Sequence, residues 1–260
     1  MTERAIVTGA GARLGRAMAI YLADRGHDVA VHYNTSEGSA AAVVAAIEDK
    51  GQRAVALGAD LLDETATQSL IGRASDALGG PLSVLVNSAS IFEHDDIQTA
   101  TRQSWDRHIE SNLRAPFVLT QNFAAQAPDP KMDERHEPLA QALAVNMIDM
   151  RVRKLTPEFM SYTIAKMGLW AFTRTAAQAL APRVRVNAIG PGPTMQGARQ
   201  TAEHFDAQRR ATIMGRGADA DDICGALGYF LEARAVTGQL LCIDGGQHLG
   251  WQTPDVLGPE

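Results

Sequence analysis

The chain has 260 residues, with 24 Lys and Arg against 30 Asp and Glu, for a formal net charge of -6. That charge argues against a sequence-independent grip on nucleic-acid phosphate, and the two cysteines, Cys224 and Cys242, fit neither a metal spacing nor a disulfide framework. A hydrophobic fraction of 45% and a charged fraction of 21% are ordinary for a globular protein, and the length is compatible with a single α/β domain over 1–260. No apolar stretch reaches the ~18 residues of a membrane span. The start, MTERAIVTGA, lacks the build of a signal peptide, so a cytoplasmic protein is expected.

Short apolar runs alternate with longer alanine-rich helical patterns. AIVTG (5–9) leads into RLGRAMAIYLADRG, DVAVHY (28–33) into SAAAVVAAIEDKG, and RAVALGAD (53–60) into ETATQSLIGRASDALG. LSVLVNSAS (82–90) precedes a helical stretch over about 101–126. APDPKMDERHEP (127–138) reads as a loop. ALAVNM then precedes TPEFMSYTIAKMGLWAFTRTAAQALA, a helix expected from position 156, and RVRVNAIG (183–190) and LLCIDGG (240–246) close the series. Apolar runs without alternation are buried on both faces, as in parallel sheets, and the helices between them supply the crossovers. The fold class is therefore α/β, a single-domain Rossmann-type doubly wound parallel sheet of about seven strands.

Ligands of such sheets bind beyond the carboxyl ends of the strands. Gly9, Gly11 and Gly15 lie in the turn after the first strand, where glycine permits close approach to backbone N–H groups and the following helix favours a pyrophosphate. The second strand ends VHYNTSEG. His32, Tyr33, Asn34, Thr35 and Ser36 offer no acid for a ribose diol, so a 2′-phosphate meets no repulsion there, and Arg13 adds positive charge. This favours NADP(H). The competing reading leaves Arg13 exposed and gives the ribose to Glu37.

The apolar run 143–148 stops at a lone acid, Asp149, with Tyr162 and Lys166 downstream at helical i, i+4 spacing. Tyr162 is a candidate proton donor, and the ammonium of Lys166 on the same helix face should draw its ordinary value of ~10 downward. Taken alone, Asp149 reads as a strand-end acid that caps the next segment or pairs with Arg151 or Arg153. Phe92 lies after the fourth strand, where an aromatic face suits a flat bicyclic ring, or where it packs in the core.

TGAGARLG, GADL (58–61), NSAS (87–90), Asn112 in SNLRAPF, SYTIAK, RVNAIGPG (185–192) and IDGG (243–246) together resemble the short-chain dehydrogenase/reductase family, from residue 4 to about residue 249. Arg13 in the glycine turn, Ser88 and Ser90 in the NSAS stretch, and Asp149 where that family usually has serine resemble its pteridine reductase branch, which carries T-G-x-x-x-R-x-G, N-x-A-S-x-F and an Asp-Tyr-Lys set. The bacterial dihydromonapterin reductases, which also reduce dihydrofolate, are a near relative. The resemblance implies catalytic roles for Asp149, Tyr162, Lys166 and Asn112, the last fixing a water behind Lys166. It implies cofactor contacts from Gly9, Arg13, Leu14, Gly15, His32, Tyr33, Asn34, Thr35, Ser36, Asp60, Leu61, Asn87, Ser88, Ala89, Tyr162, Lys166, Pro191 and Gly192. It implies pterin contacts from Arg13, Ser90, Phe92, Asp149 and Tyr162, a substrate flap over 193–218, no metal and a homotetramer, with Trp251 and the tail 250–260 crossing to a neighbouring subunit or lying disordered. Two other readings stand beside it. One is a general carbonyl reductase of 3-oxoacyl groups or sugars, and the other is a catalytically idle nucleotide sensor.

Overall fold

Each apolar run named above becomes a strand of one sheet in the computed structural model, which describes residues 3–197 and 199–251. The strands are β1 (Glu3–Val7), β2 (His27–Tyr33), β3 (Ala54–Gly58), β4 (Val84–Asn87), β7 (Ala142–Met147), β8 (Val184–Pro191) and β9 (Leu240–Ile243). Their order is β3-β2-β1-β4-β7-β8-β9, and every pairing is parallel. The order reverses between β1 and β4, which opens a crevice at their carboxyl ends.

Side chains alternate across the pleat. Ala5, Val7, Val29 and Val31 pack on one face with Met18 and Leu22 of α1 (Arg13–Asp24), Val43 of α2 (Glu37–Glu48) and Phe230 of α8 (Ala220–Glu232). Ile6, Ala30 and Leu85 pack on the other with Leu70 of α3 (Glu64–Leu78) and with Leu119 and Phe123 of α5 (Ala115–Gln126). The helix starts follow local chemistry. Asp63 caps α3 by accepting from Thr65 and Ala66 N–H, and Thr101 and Ser104 form a reciprocal box at α4 (Arg102–Ile109).

Two expectations need correction. Residues 127–138 are not wholly loop, because β5 (Lys131–Met132) and β6 (Pro138–Leu139) form a small antiparallel pair; the Asp133 carboxylate closes its turn by accepting from Arg135 and Glu137 N–H. The helix bearing Tyr162 does not begin at 156. It is α6 (Met160–Leu180), and Phe159 precedes it at φ 55 in the left-handed region. The helical stretch expected over about 101–126 runs without a gap from Arg102 to Gln126, widened between α4 and α5 by a π turn over Glu110–Arg114, a feature that often marks functional sites. The flap contains one helix, α7 (Ala202–Arg210). Residues 252–260, most of the tail discussed above, lie outside the described residues. Among the described residues no helix is long and apolar enough to cross a membrane, and no group of three or more His, Cys, Asp or Glu is placed to hold a metal.

Candidate active site

A cleft of about 1280 Å³ lies over the carboxyl ends of the central strands. Arg13, Arg107, Arg151, Lys154 and Arg199 line it against Asp60, Asp149 and Glu158. The cleft is thus cationic within a chain of net charge -6, which suits phosphate-bearing ligands.

The glycine turn forms its floor. Gly9 is at φ 65, where a Cβ would stand 2.9 Å from Ala89 Cα, and a Cβ on Gly15 would stand 2.3 Å from the Gly9 carbonyl. Only glycine allows this turn to close. Behind it α1 starts at Ala12 with no side-chain cap. Its first N–H groups face the cleft without the capping oxygens found on α3 and α4. The turn and the bare helix start fit a dinucleotide's diphosphate.

Gly9, Arg13, Leu14, Gly15, His32, Tyr33, Asn34, Ser36, Asp60, Leu61, Ser88, Ala89, Ser90, Phe92, Asp149, Tyr162, Lys166, Pro191 and Gly192 all line the cleft. Thr35, Asn87 and Asn112 do not. Thr35 is exposed in the bend before α2. Asn87 is buried beneath the floor, donating to Asn146 Oδ1 at 2.8 Å, while Asn146 donates to Thr173. Asn112, buried at the π turn, pairs its amide with Ile91: Oδ1 accepts from Ile91 N–H at 2.9 Å and Nδ2 donates to Ile91 O at 2.7 Å. Its side chain thereby holds the loop after β4.

Two expected cofactor residues are otherwise engaged. His32 accepts from Gly9 N–H at Nδ1 (3.0 Å), so its other ring nitrogen, 3.0 Å from Ala59 O, carries the proton and donates. Burial holds this ring below its ordinary pKa, and it braces the glycine turn as a neutral tie. The guanidinium of Arg13, itself at φ 53, donates to Met195 O and Gln196 O of the flap. Glu37 opens α2 as an exposed residue away from the cleft lining.

The catalytic candidates converge beyond β7. Asp149 caps the next segment and also meets Tyr162. Its Oδ1 accepts from Arg151 N–H at 2.8 Å and caps a short turn over Met150–Val152, while Tyr162 Oη donates to Oδ2 at 3.0 Å. Lys166, 2% exposed, donates to Met147 O at 2.8 Å. Burial pushes the Lys166 ammonium down to about 8, against the pull of Asp149. Burial likewise raises Asp149 above the usual carboxylate value, more than the Arg151 N–H bond and neighbouring charges lower it. The expected depression of Tyr162 is reversed. Burial, then the charge of Asp149 and its hydrogen bond, lift the phenol well above its ordinary value, while Arg151 and Ser90 pull the other way. Burial favours the neutral phenol, and the carboxylate beside it opposes a second negative charge.

Sequence reasoning missed a buried chain behind Tyr162. Glu93 N–H donates to His108 Nε2 at 3.1 Å, so the ring proton is on Nδ1 and is given to Ser161 Oγ at 2.7 Å. Ser161 in turn donates to Asp95, and Asp95 Oδ1 accepts from Ser161 N–H at 3.1 Å. Burial raises Asp95, but the bonds from Ser161 and Ser104 prevail and hold it below its ordinary value. The chain ties the loop after β4 to the first turn of α6 and so fixes where Tyr162 starts. Ser161→Ala strands the buried His108 Nδ1–H and takes from Asp95 Oδ2 one of two donors, leaving it Ser104 Oγ at 3.2 Å, and should cost about 2 kcal/mol in urea unfolding. A loss near zero would show that the chain is not structural. The signal was present in the sequence only as scattered polar residues on three elements.

Phe92, expected to offer a free face, stacks on Phe159 with centroids 4.3 Å apart and planes 9° apart, and meets Tyr162 edge-on at 4.7 Å. The flap closes over this pair, because Arg199 donates to Phe92 O at 2.7 Å. Arg209 ties the flap's ends by donating to Pro193 O and Ala218 O.

Comparison with known proteins agrees with this geometry. The family model described as enoyl-(acyl carrier protein) reductase matches residues 9–248. A solved structure of FolM alternative dihydrofolate reductase 1 from Brucella suis, in complex with NADP, is 40% identical with a TM-score of 0.90, covering 98% of this chain and 100% of that one. A short-chain dehydrogenase from Burkholderia cenocepacia, also in complex with NADP, is 32% identical with a TM-score of 0.83, covering 95% and 98%. The 3-oxoacyl-[acyl-carrier-protein] reductase FabG of Staphylococcus aureus is 29% identical over 254 residues, covering 96% of this chain and 99% of its own. With the glycine turn, the parallel sheet and the Tyr-Lys pair all in place, the chain belongs to the short-chain dehydrogenase/reductase family of oxidoreductases.

Proposed function

We propose that this protein is an NADPH-dependent reductase of a pteridine-type ring: a dihydropterin, dihydromonapterin or dihydrofolate. One observation carries the reading, namely the 3.0 Å bond between Tyr162 Oη and Asp149 Oδ2 in a buried site. A carboxylate there repels the alkoxide that develops when a ketone is reduced. It suits a ring whose nitrogen gains a proton and whose N–H groups donate hydrogen bonds. The similarity to the Brucella dihydrofolate reductase supports the same substrate class.

NADPH suits the cleft because the end of β2 presents Tyr33, Asn34 and Ser36 with no acid, beside Arg13. Once bound, its nicotinamide supplies a hydride. The protein handles the proton. Asp149 Oδ1 is occupied by Arg151 N–H, so a proton on this carboxyl resides on Oδ2, facing Tyr162. Tyr162 gives its hydroxyl proton to the substrate nitrogen and takes the Asp149 proton in its place. The Asp149 carboxylate is then reprotonated from solvent through the open cleft. Lys166 holds the ribose side of the site with its buried ammonium, and its hydrogen bond to Met147 O keeps it aligned. The homotetramer implied by the resemblance and the cytoplasmic location expected from the sequence complete the reading.

The test is NADPH consumption against dihydropterins, dihydrofolate and ketones. Dihydropterins should be turned over and simple ketones should not. Because Asp149 is raised above its ordinary value, its protonated fraction, and with it kcat/KM, should fall as pH rises through that raised value. Turnover of 3-oxoacyl thioesters alone would instead support the reading suggested by FabG.

A further inference from the structure

We propose that Arg151 and Arg199 form a subsite for the carboxylate tail of a conjugated pterin, so that the protein prefers a pterin bearing an acidic arylamide tail, as in dihydrofolate, over one with an uncharged side chain. This rests on the pteridine reading above and adds the part of the substrate remote from the reacting atoms.

The two guanidiniums come from different elements and meet at one aromatic pair. Arg151 Cζ stands 4.8 Å over the Phe159 ring. Arg199 Cζ, on the flap, stands 5.4 Å from the Phe92 centroid and 5.9 Å from that of Phe159. Phe92 touches Tyr162, so this pair lies one ring beyond the proton donor, toward the mouth of the cleft. Arg151 uses one N–H on Thr156 Oγ1 and Arg199 uses one on Phe92 O. Among the described residues neither has a carboxylate within ion-pair distance. Arg107 is different, because Glu93 neutralises it at 2.9 Å.

Guanidiniums anchored at one N–H and stacked on aromatic faces keep their remaining donors in a fixed fork, the geometry that takes a carboxylate bidentately. Stacked rings between them and Tyr162 suit the flat aryl link of such a tail. Arg13, the cation expected to serve the cofactor's phosphates, lies elsewhere, at the glycine turn. Phe159 holds the left-handed backbone that bulky residues avoid, and this turns its ring onto Phe92 and beneath Arg151. The local strain therefore has a use, since it builds the platform on which the tail would lie.

The test compares dihydrofolate with 7,8-dihydrobiopterin, whose side chain is uncharged, in the wild type and in Arg151→Gln, Arg199→Gln and the double variant. KM for dihydrofolate should rise about tenfold in the double variant, while KM for dihydrobiopterin and for NADPH should stay within about twofold. Raising salt to about 0.5 M should erode the wild-type preference for dihydrofolate. Equal rises for both pterins, no rise, or a rise for NADPH would overturn the subsite. Should the double variant melt early, the single variants and the wild-type salt dependence decide. A wild type that reduces dihydrobiopterin without any variant discriminating would sink this inference alone. A wild type that reduces neither pterin would sink the pteridine reading, and the subsite with it.

Discussion

Tyr162→Phe should lower kcat about a thousandfold, the range general acids supply, while the fold and nucleotide affinity survive. The substitution removes one hydroxyl and leaves the ring contacts with Phe92 and His108 intact. What it deletes is the hydroxyl that links Asp149 Oδ2 to a substrate atom. The phenol's raised pKa sharpens this expectation. Tyr162 stays protonated throughout the neutral range, so it acts as a carrier that must be refilled and never as a standing phenolate. Steady-state kinetics with a thermal melt on the same preparation check the result. A loss below tenfold with an unchanged melt would mean that the proton reaches the substrate by another route.

Asp149→Ser should lower turnover of a dihydropterin about a hundredfold, for two separable reasons. A serine hydroxyl cannot act as an acid at neutral pH, so Tyr162 loses its source of protons. A hydroxyl also adds no negative charge, so the bias toward a nitrogen-rich ring disappears. The same change should flatten the pH dependence. Burial raises Asp149 in the folded chain above its unfolded value. Its contribution to stability is therefore present at low pH and lost as pH rises through the raised value. Removing the carboxyl removes that loss, so the variant should gain stability relative to the wild type above that pH. Unfolding in urea at acid and neutral pH separates this effect from catalysis.

The sheet was legible because each strand is a short apolar run bounded by polar or glycine residues, and the parallel pattern followed from runs buried on both faces. The glycine turn and the pair Tyr162 and Lys166 were legible because their spacing in the chain is local. The connections that link distant segments were not. Phe159 was hidden by the run TPEFMSY, which continues the helical pattern of α6; only the backbone shows that the helix starts one residue later, with Phe159 turned onto Phe92. Arg199 reads as one more polar residue of the flap until it is seen against Phe92. His108 and Asp95 lie fully inside, although a sequence rule would place such residues on the surface. Their burial becomes favourable only through Ser161 and Glu93, partners that no periodicity announces. The motif assigns Asn87 to the cofactor and Asn112 to a water behind Lys166; it does not announce the bonds their amides make to a neighbouring strand and loop. The direction of the Tyr162 shift was misjudged for a similar reason. The helix spacing shows the lysine, but neither the burial that prevails nor the carboxylate that adds to it from beyond a different element.

The central claim is that Asp149 directs this reductase toward a ring nitrogen. The ratio of kcat/KM for a dihydropterin to kcat/KM for a 3-oxoacyl ketone, measured in the wild type and in Asp149→Ser, tests it most directly. The ratio should exceed one in the wild type and fall about a hundredfold in the variant, with activity on the ketone kept or improved. A ratio that favours the ketone in the wild type, or that does not move when the carboxylate is removed, would contradict the claim.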